Sequence, residues 1–449
     1  MSRFRVHIPR LTALILFLVL LAACGGPAAT ASLPTAQIAT APANTSNATQ
    51  VVPTAVAPVA TDSAPAPTSS ATTSTAAPVD VSGPLRTDQL QFGVVEHLYY
   101  TDRERVLTLT KIAGFTWVRQ QIQWKDIEGP QPKNYAWAEL DNIVKDANTN
   151  GIKLLISIVK APSFYNSTNG LPKNPADMGD FVEAMMKHYG NKIAAVEIWN
   201  EQNLATENGG QVTVNDAGRY VEILAEAYKR IKAVAPETFV LAGAPSSSGV
   251  NDPKIAVSDE NYYRAMYAYK NGMIKNYFDA QAVHPGGAAN PPDTMYPENP
   301  SYIEGCKPAP NQCWNNDPTH YFRRIEDIRR FMVESGVGDR QMWVTEFGWA
   351  TANDTPGYEF GNFVSLQQQA DYIISAMKMM NEKYKDDQGR SWVGVAFLWN
   401  MNFAVLKAAE GQPNNEQASF GILNPDWSPR PAYLAIQSYL AELQKERGG

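Results

Sequence analysis

Ala195-Val196-Glu197-Ile198-Trp199-Asn200-Glu201 sets a short, largely apolar run directly against two polar residues. The run is too short for a helix and fits a strand buried on both faces, the kind found in parallel sheets. Working outward, similar runs occur at Leu90–Val95, Phe115–Arg119 and Lys153–Ile158 on one side of it. On the other side they occur at Phe239–Gly243, Phe278–Val283, Met342–Thr345 and Val393–Leu398. Between them the pattern predicts helices at Tyr135–Asn148, Asp177–Tyr189, Val214–Ala235, His320–Glu334 and Leu366–Tyr384, with Pro431–Gln444 closing the chain. Gly114, Gly151, Gly336 and Gly338 stand just before strands, where a helix must stop. A strict strand-then-helix order implies parallel strands joined by crossover helices. Eight such units over about 360 residues match an α/β fold of the (β/α)8 TIM-barrel type with enlarged loops. An open doubly wound sheet would show a glycine fingerprint after its first strand, and none is present.

The full chain has 449 residues, of which 44% are apolar and 18% charged, enough to bury a sizeable core. Its 38 Lys and Arg against 45 Asp and Glu give a net charge of −7, which argues against nucleic acid as a partner. With 3 Cys and 5 His, a metal centre built on Cys/His clusters is not expected, and no cofactor is implied. Arg3, Arg5 and Arg10 precede an apolar run from Leu11 to Ala23, the pattern of an export signal. That run falls short of the roughly 20 residues that span a bilayer. It closes on Leu21-Ala22-Ala23-Cys24-Gly25, which resembles the lipobox of bacterial lipoproteins. The resemblance implies acylation of Cys24 and anchoring at the cell surface without spanning the membrane. Residues 24–85 are rich in Ala, Thr, Pro and Ser, with no Lys or Arg between Arg10 and Arg86 and no aromatic between Phe17 and Phe92. Such a segment cannot offset its ordering entropy and reads as an unfolded tether. The expected organisation is thus a signal at 1–23, a tether at 24–85 and a barrel domain at 86–449. Cys306 and Cys313, an even pair in an exported chain, suggest a small disulfide loop.

On a barrel of this kind, functional residues gather at the carboxyl ends of the strands. At those ends stand Glu96 and His97 after the first strand, Arg119 at the close of the second, and Trp199-Asn200-Glu201 after the fourth. His284 comes after the sixth, Glu346 after the seventh and Trp399 after the eighth. Strands four and seven lie across the ring from each other, so Glu201 and Glu346 can face one another at its mouth. Two carboxyl groups about 5–5.5 Å apart are what double-displacement glycoside hydrolysis needs, one protonated and one ionised. Arg119 is placed to favour the ionised one. Glu197 lies inside its strand and reads as part of a buried pair lower in the barrel.

Val196-Glu197-Ile198-Trp199-Asn200-Glu201-Gln202-Asn203 and Trp343-Val344-Thr345-Glu346-Phe347-Gly348-Trp349 resemble the strand-four and strand-seven signatures of clan A glycoside hydrolases. The resemblance covers most of Phe92–Leu440 and includes Gly421-Ile-Leu-Asn and Pro429-Arg-Pro-Ala-Tyr433 near the end. It implies that Glu201 is the general acid/base and Glu346 the nucleophile of a retaining enzyme acting on a β-linked carbohydrate. Asn200 would bond the sugar 2-hydroxyl, Arg119 would orient Glu346, His284 would support the site and Trp399 would form the floor under the sugar. Trp124, Trp349 and Phe403, with His97 at the rim, are further candidates for sugar contact, as are Tyr296, Tyr302 and Trp314 in the long loop after His284. Two features depart from the family pattern: the third strand runs into Lys160-Ala161-Pro162-Ser163-Phe164, and Gly286 stands where many relatives place a tyrosine. The expected protein is a monomer. A surface lipoprotein that binds carbohydrate without hydrolysing it is the competing reading, and it has no physical need for two opposed carboxylates.

Overall fold

The structure, a computed structural model, describes residues 84–296, 314 and 317–448. The expected signal and tether up to residue 83, Cys24, Tyr302, Cys306 and Cys313 lie outside the described residues. Eight parallel strands close into a barrel in sequence order. They are β1 (Gln91–Val95), β2 (Trp117–Gln123), β3 (Lys153–Val159), β4 (Ala195–Ile198), β5 (Phe239–Ala242), β6 (Ala280–Val283), β7 (Gln341–Phe347) and β8 (Val393–Leu398). The (β/α)8 barrel expected from the sequence is therefore the fold, with each strand within a few residues of its anticipated place.

Period-2 alternation explains the interior. Along β2, Trp117, Arg119 and Gln121 share one face, and that face is the inside of the barrel. The lowest layer is apolar: Trp117, Leu155, Ala195, Trp343 and Phe397 belong to one buried cluster. The rings of Trp117 and Trp343 meet edge-on at 5.2 Å. Gly93 makes room for this plug, since a Cβ there would sit 2.7 Å from the ring of Phe397. Two residues further along the strands, the next layer is polar: Arg119, Ser157, Glu197 and Thr345, all fully buried. The outward faces of the strands (Val118, Ile156, Val196, Val344) join the larger core shared with the helices, including Phe181, Leu224 and Met377. Burying this sheet–helix core is the main apolar stabilisation of the fold.

Besides short helical turns, two longer helices lie where the sequence pattern predicts none: Arg103–Ala113 between β1 and β2, and Asp259–Ala268 between β5 and β6. The first has clear termini, with Asp102 capping the amide of Arg105 and Gly114 left-handed at the other end. Its threonines and the tyrosines of the second weaken the helical signal in the sequence. Among the described residues no helix is long and apolar enough to cross a membrane.

Glu96 belongs to the fold and does not join the strand-end cluster. It faces Thr110 of helix Arg103–Ala113, with Oε2 unpartnered among the described residues. Thr110 Oγ1 also donates to the carbonyl of Val106 at 2.8 Å, which leaves it an acceptor for a protonated Glu96. Burial pushes the Glu96 carboxyl up to about 8. The folded state therefore keeps a proton that the unfolded chain gives up above its ordinary pKa of 4.5. Stability from this group is full below that value and falls by about 1.4 kcal/mol per pH unit until pH passes about 8. Glu96→Gln should unfold at higher urea than the parent at pH 8, with the gap closing toward pH 5. A gap independent of pH would refute this account.

Candidate active site

The end of β4 is held in an unusual backbone shape. Trp199 and Glu201 both have positive φ, 69° and 51°, which non-glycine residues adopt only when their surroundings impose it. Here they do. The Tyr220 hydroxyl donates to the carbonyl of Ile198 at 2.8 Å and accepts from the Gly243 amide at 2.5 Å. Trp199 Nε1 donates to the Glu207 carbonyl at 3.1 Å, and the Glu201 amide donates to the Ala244 carbonyl at 2.8 Å. Asn203 Nδ2 donates to the carbonyls of Ser246 and Val257, both at 2.9 Å. Glu201 is thus carried on a rigid turn, with a buried side chain at the wall of the cleft.

Arg119 ties this turn to β7. Its Nε donates to Glu197 Oε2 at 2.8 Å and its Nη1 to Glu346 Oε1 at 2.7 Å. Its Nη2 donates to Asn200 Oδ1 at 2.7 Å and Ser157 Oγ at 3.2 Å. Arg119 does not end its strand: β2 runs on to Gln123, and Arg119 sits in the polar layer beneath the rim. It reaches the cleft from below through its length. Glu197 makes the buried pair expected of it.

Glu201, His284 and Glu346 each present an atom within 4.8 Å of the other two, so the glutamates from opposite strands meet. His284 Nδ1 lies 2.9 Å from Glu201 Oε1, its Nε2 lies 3.0 Å from Thr345 Oγ1, and Glu346 Oε1 is 3.9 Å away. A carboxylate–histidine trio at this spacing could ligate a cation. The trio is already committed internally, Glu346 to Arg119 and Glu201 to His284. Burial pushes the Glu201 carboxyl well above the usual carboxylate range, and the charges of Glu346 and Glu207 push the same way. Burial also raises Glu346, to about 7, but there the guanidinium of Arg119 opposes it. His284 is driven well below its ordinary value by burial and by Arg119, so its ring is neutral. The arrangement gives one carboxyl that keeps its proton and a second that a cation helps to ionise.

Trp399 and Asn200 line the same cleft, as do Gln121, Ser246 and Trp314. Lys160 and Glu207 form an ion pair of 2.9 Å on its wall. In the sequence Lys160 stands out only as a departure from the family pattern, and Thr345, Ser157 and Glu207 do not stand out at all. A threonine or serine inside a strand carries no signal of its role until its neighbours are known.

Five of the expected sugar contacts do not line the cleft: Trp124, Trp349, His97, Phe403, which packs against Trp399 at 4.9 Å, and Tyr296, which packs near Tyr321 at 5.7 Å. Trp124 is fully buried, its ring 5.0 Å from Phe181 and 5.1 Å from Tyr165, with Nε1 donating to Glu128 at 2.6 Å. Trp349 is 1% exposed, and its Nε1 donates to the Asn290 carbonyl at 2.9 Å. Its ring lies behind Gly287, where a Cβ would meet it at 3.1 Å. His97 does not line the cleft; its ring packs near Phe403 at 6.2 Å and Tyr99 at 6.4 Å. Both tryptophans turn inward because an aromatic beside a strand end can fill the sheet–helix layer as readily as face solvent.

Gly286 has a steric cause. A Cβ at this position would lie 1.9 Å from the carbonyl oxygen of Thr319, so the returning chain occupies the place a side chain would need. Gly286→Ala should cost at least about 1–3 kcal/mol in denaturant unfolding, the usual range for overpacking. A neutral result would mean that the segment around Thr319 moves aside freely.

No protein-family model matches this chain, and no curated protein matches it by sequence. Among solved structures it is similar to a family 39 glycoside hydrolase from the gut symbiont Bacteroides cellulosilyticus, at TM-score 0.53 and 19% identity, over 80% of this chain and 64% of that one. It is similar to a glucosidase from Croceicoccus marinus, at TM-score 0.54 and 16% identity, over 80% and 68% of the two chains. An exo-β-1,4-mannosidase from an Opitutaceae bacterium gives 0.50 and 14%, over 82% and 62%. The matched region thus spans somewhat less than two thirds of the first and third of these proteins. At such identities the likeness establishes a shared barrel fold.

Proposed function

We propose that the chain is a retaining glycoside hydrolase acting on a β-linked poly- or oligosaccharide, exported and held at the cell surface by a lipid on Cys24. The anchor and the tether rest on the sequence of residues 1–85. The observation that carries the catalytic reading is the meeting of Glu201 and Glu346 within 4.8 Å, with Arg119 Nη1 hydrogen-bonded to Glu346. In the first step the Glu346 carboxylate attacks the anomeric carbon and the bond to the glycosidic oxygen breaks. Glu201 gives its proton to that oxygen, leaving a glycosyl ester on Glu346. In the second step Glu201, now ionised, takes a proton from water as the water oxygen attacks the same carbon. The ester bond breaks and both groups return to their starting states, with two inversions giving net retention. Asn200 is turned by Arg119 so that its Nδ2 is left to donate to the sugar, and Trp399 offers an apolar ring beneath it.

The test is hydrolysis by the full chain of aryl β-glycosides and soluble glucans, xylans and mannans. Glu201→Gln should lower turnover of substrates with poor leaving groups by about 10²–10⁴-fold, with much smaller losses on dinitrophenyl glycosides that need no protonation. Unchanged turnover, or a product of inverted configuration seen by proton NMR, would sink the proposal.

A further inference from the structure

A run of hydrogen bonds outside the two-carboxylate chemistry leads from the buried ion pair to Glu201. We infer that Glu197 and Thr345 are positioning residues for the acid: they fix His284 as the Nε2–H tautomer, so that its bare Nδ1 accepts the proton of Glu201. The inference rests on the reading of Glu201 as the acid, but the geometry behind it is independent of any substrate.

The assignment comes from counting protons from the bottom of the run. Glu197 is ion-paired through Oε2 to Arg119 Nε at 2.8 Å, so it can only accept. Its Oε1 lies 3.1 Å from Thr345 Oγ1, and the hydroxyl has one proton, which goes to that carboxylate. Toward His284 Nε2, at 3.0 Å, Thr345 can then only accept, so Nε2 carries the hydrogen. A neutral imidazole has a single N–H. Nδ1 is therefore a lone pair, facing Glu201 Oε1 at 2.9 Å, and the proton between them belongs to Glu201. The opposite tautomer would ask one hydroxyl proton to serve both His284 and Glu197.

The consequence is a directional bias at the acid. An ionised Glu201 would set a carboxylate oxygen against a nitrogen lone pair, whereas a protonated Glu201 makes a good hydrogen bond. The charged and titratable groups around the pair are Arg119 from β2, Glu197 from β4, Glu207 from the turn after it and Glu346 from β7. Glu346 and Glu207 disfavour ionisation of Glu201, and among these charges Arg119 opposes them. The histidine tautomer adds to the first group without placing another charge in the site. Once Glu201 has lost its proton to the leaving oxygen, the same bias favours its recovery from water.

The test reads the ring directly. In full-length protein carrying ¹⁵N-histidine, long-range ¹H–¹⁵N correlation reports the tautomer of each imidazole, with the His284 signals assigned by their loss in His284→Gln. The expected result is Nε2–H with an acceptor Nδ1 between pH 5.5 and 8. Thr345→Val should shift His284 toward the Nδ1–H form and move the alkaline limb of the hydrolysis profile down by about one pH unit. Thr345→Ser, which restores the hydroxyl, should restore the tautomer. Glu197→Gln should behave as Thr345→Val, and if it fails to fold, the threonine pair still decides. An Nδ1–H ring in the parent protein would overturn the inference, as would an Nε2–H ring unmoved by Thr345→Val. Hydrolysis together with an Nδ1–H ring would remove this inference and leave the enzyme reading standing. The expected tautomer shifts in a chain that hydrolyses no glycoside would do the reverse.

Discussion

Glu346→Gly loses turnover of aryl β-glycosides by about 10⁴-fold or more, the scale of removing a nucleophile, and azide restores part of it. The glycine leaves a small space on the face of the sugar from which Glu346 attacks. Azide enters that space, attacks the anomeric carbon and displaces the aryloxide, giving a glycosyl azide of the opposite configuration. No enzyme-bound carboxylate remains to invert it a second time. Arg119, whose Nη1 has lost its partner at 2.7 Å, supplies a positive charge for the incoming anion. The product is identified by NMR and the fold is checked by thermal melting. Rescue giving the same configuration as the substrate, or a variant as active as its parent, would show that Glu346 is not the attacking group.

Arg119→Met is the second large effect, on both stability and activity. The guanidinium is fully buried and lies between Glu197 at 2.8 Å and Glu346 at 2.7 Å. Removing one member of a buried charged network typically costs about 3–5 kcal/mol, because the remaining charges stay out of water without a partner. Glu346, already raised by burial, also loses the cation that opposes this, so its ionisation moves to higher pH. The acidic limb of kcat/KM should therefore move up, since turnover requires the ionised form. Adding Glu197→Gln removes one of the stranded charges and should recover part of the stability while leaving turnover low. Denaturant unfolding and a pH–rate profile check both halves. A loss under about 1 kcal/mol with an unmoved acidic limb would mean that Arg119 does not govern Glu346.

The barrel is legible in the sequence because its strands carry the burial signal twice over. Val196 and Ile198 turn outward to the helix layer while Ala195 faces the plug, so almost every position reads as apolar. The polar layer interrupts this signal. In β2 the alternation Trp117, Arg119, Gln121 points inward, so a polar residue in mid-strand looks like the strand's end, and the expected boundary falls short of Gln123. Arg103–Ala113 is hidden for a different reason, since threonines dilute its apolar face although Asp102 and Gly114 mark both ends.

From the sequence alone came the eight-fold alternation, the barrel and the pairing of Glu201 with Glu346, because strand length, residue order and the identity of the residues at each strand's carboxyl end are local properties. Which aromatics meet the cleft was decided only by packing: Trp124 and Trp349 went to the core and Trp399 to the cleft, and local sequence does not distinguish a ring that fills a layer from one that faces it. The same holds for the protons. Whether His284 gives or receives one depends on a threonine 61 residues away and a glutamate beyond it, brought to 3.0–3.1 Å only by closure of the ring. Hydrogen bonds act over a few ångströms, and only the closed fold sets which groups come within that reach.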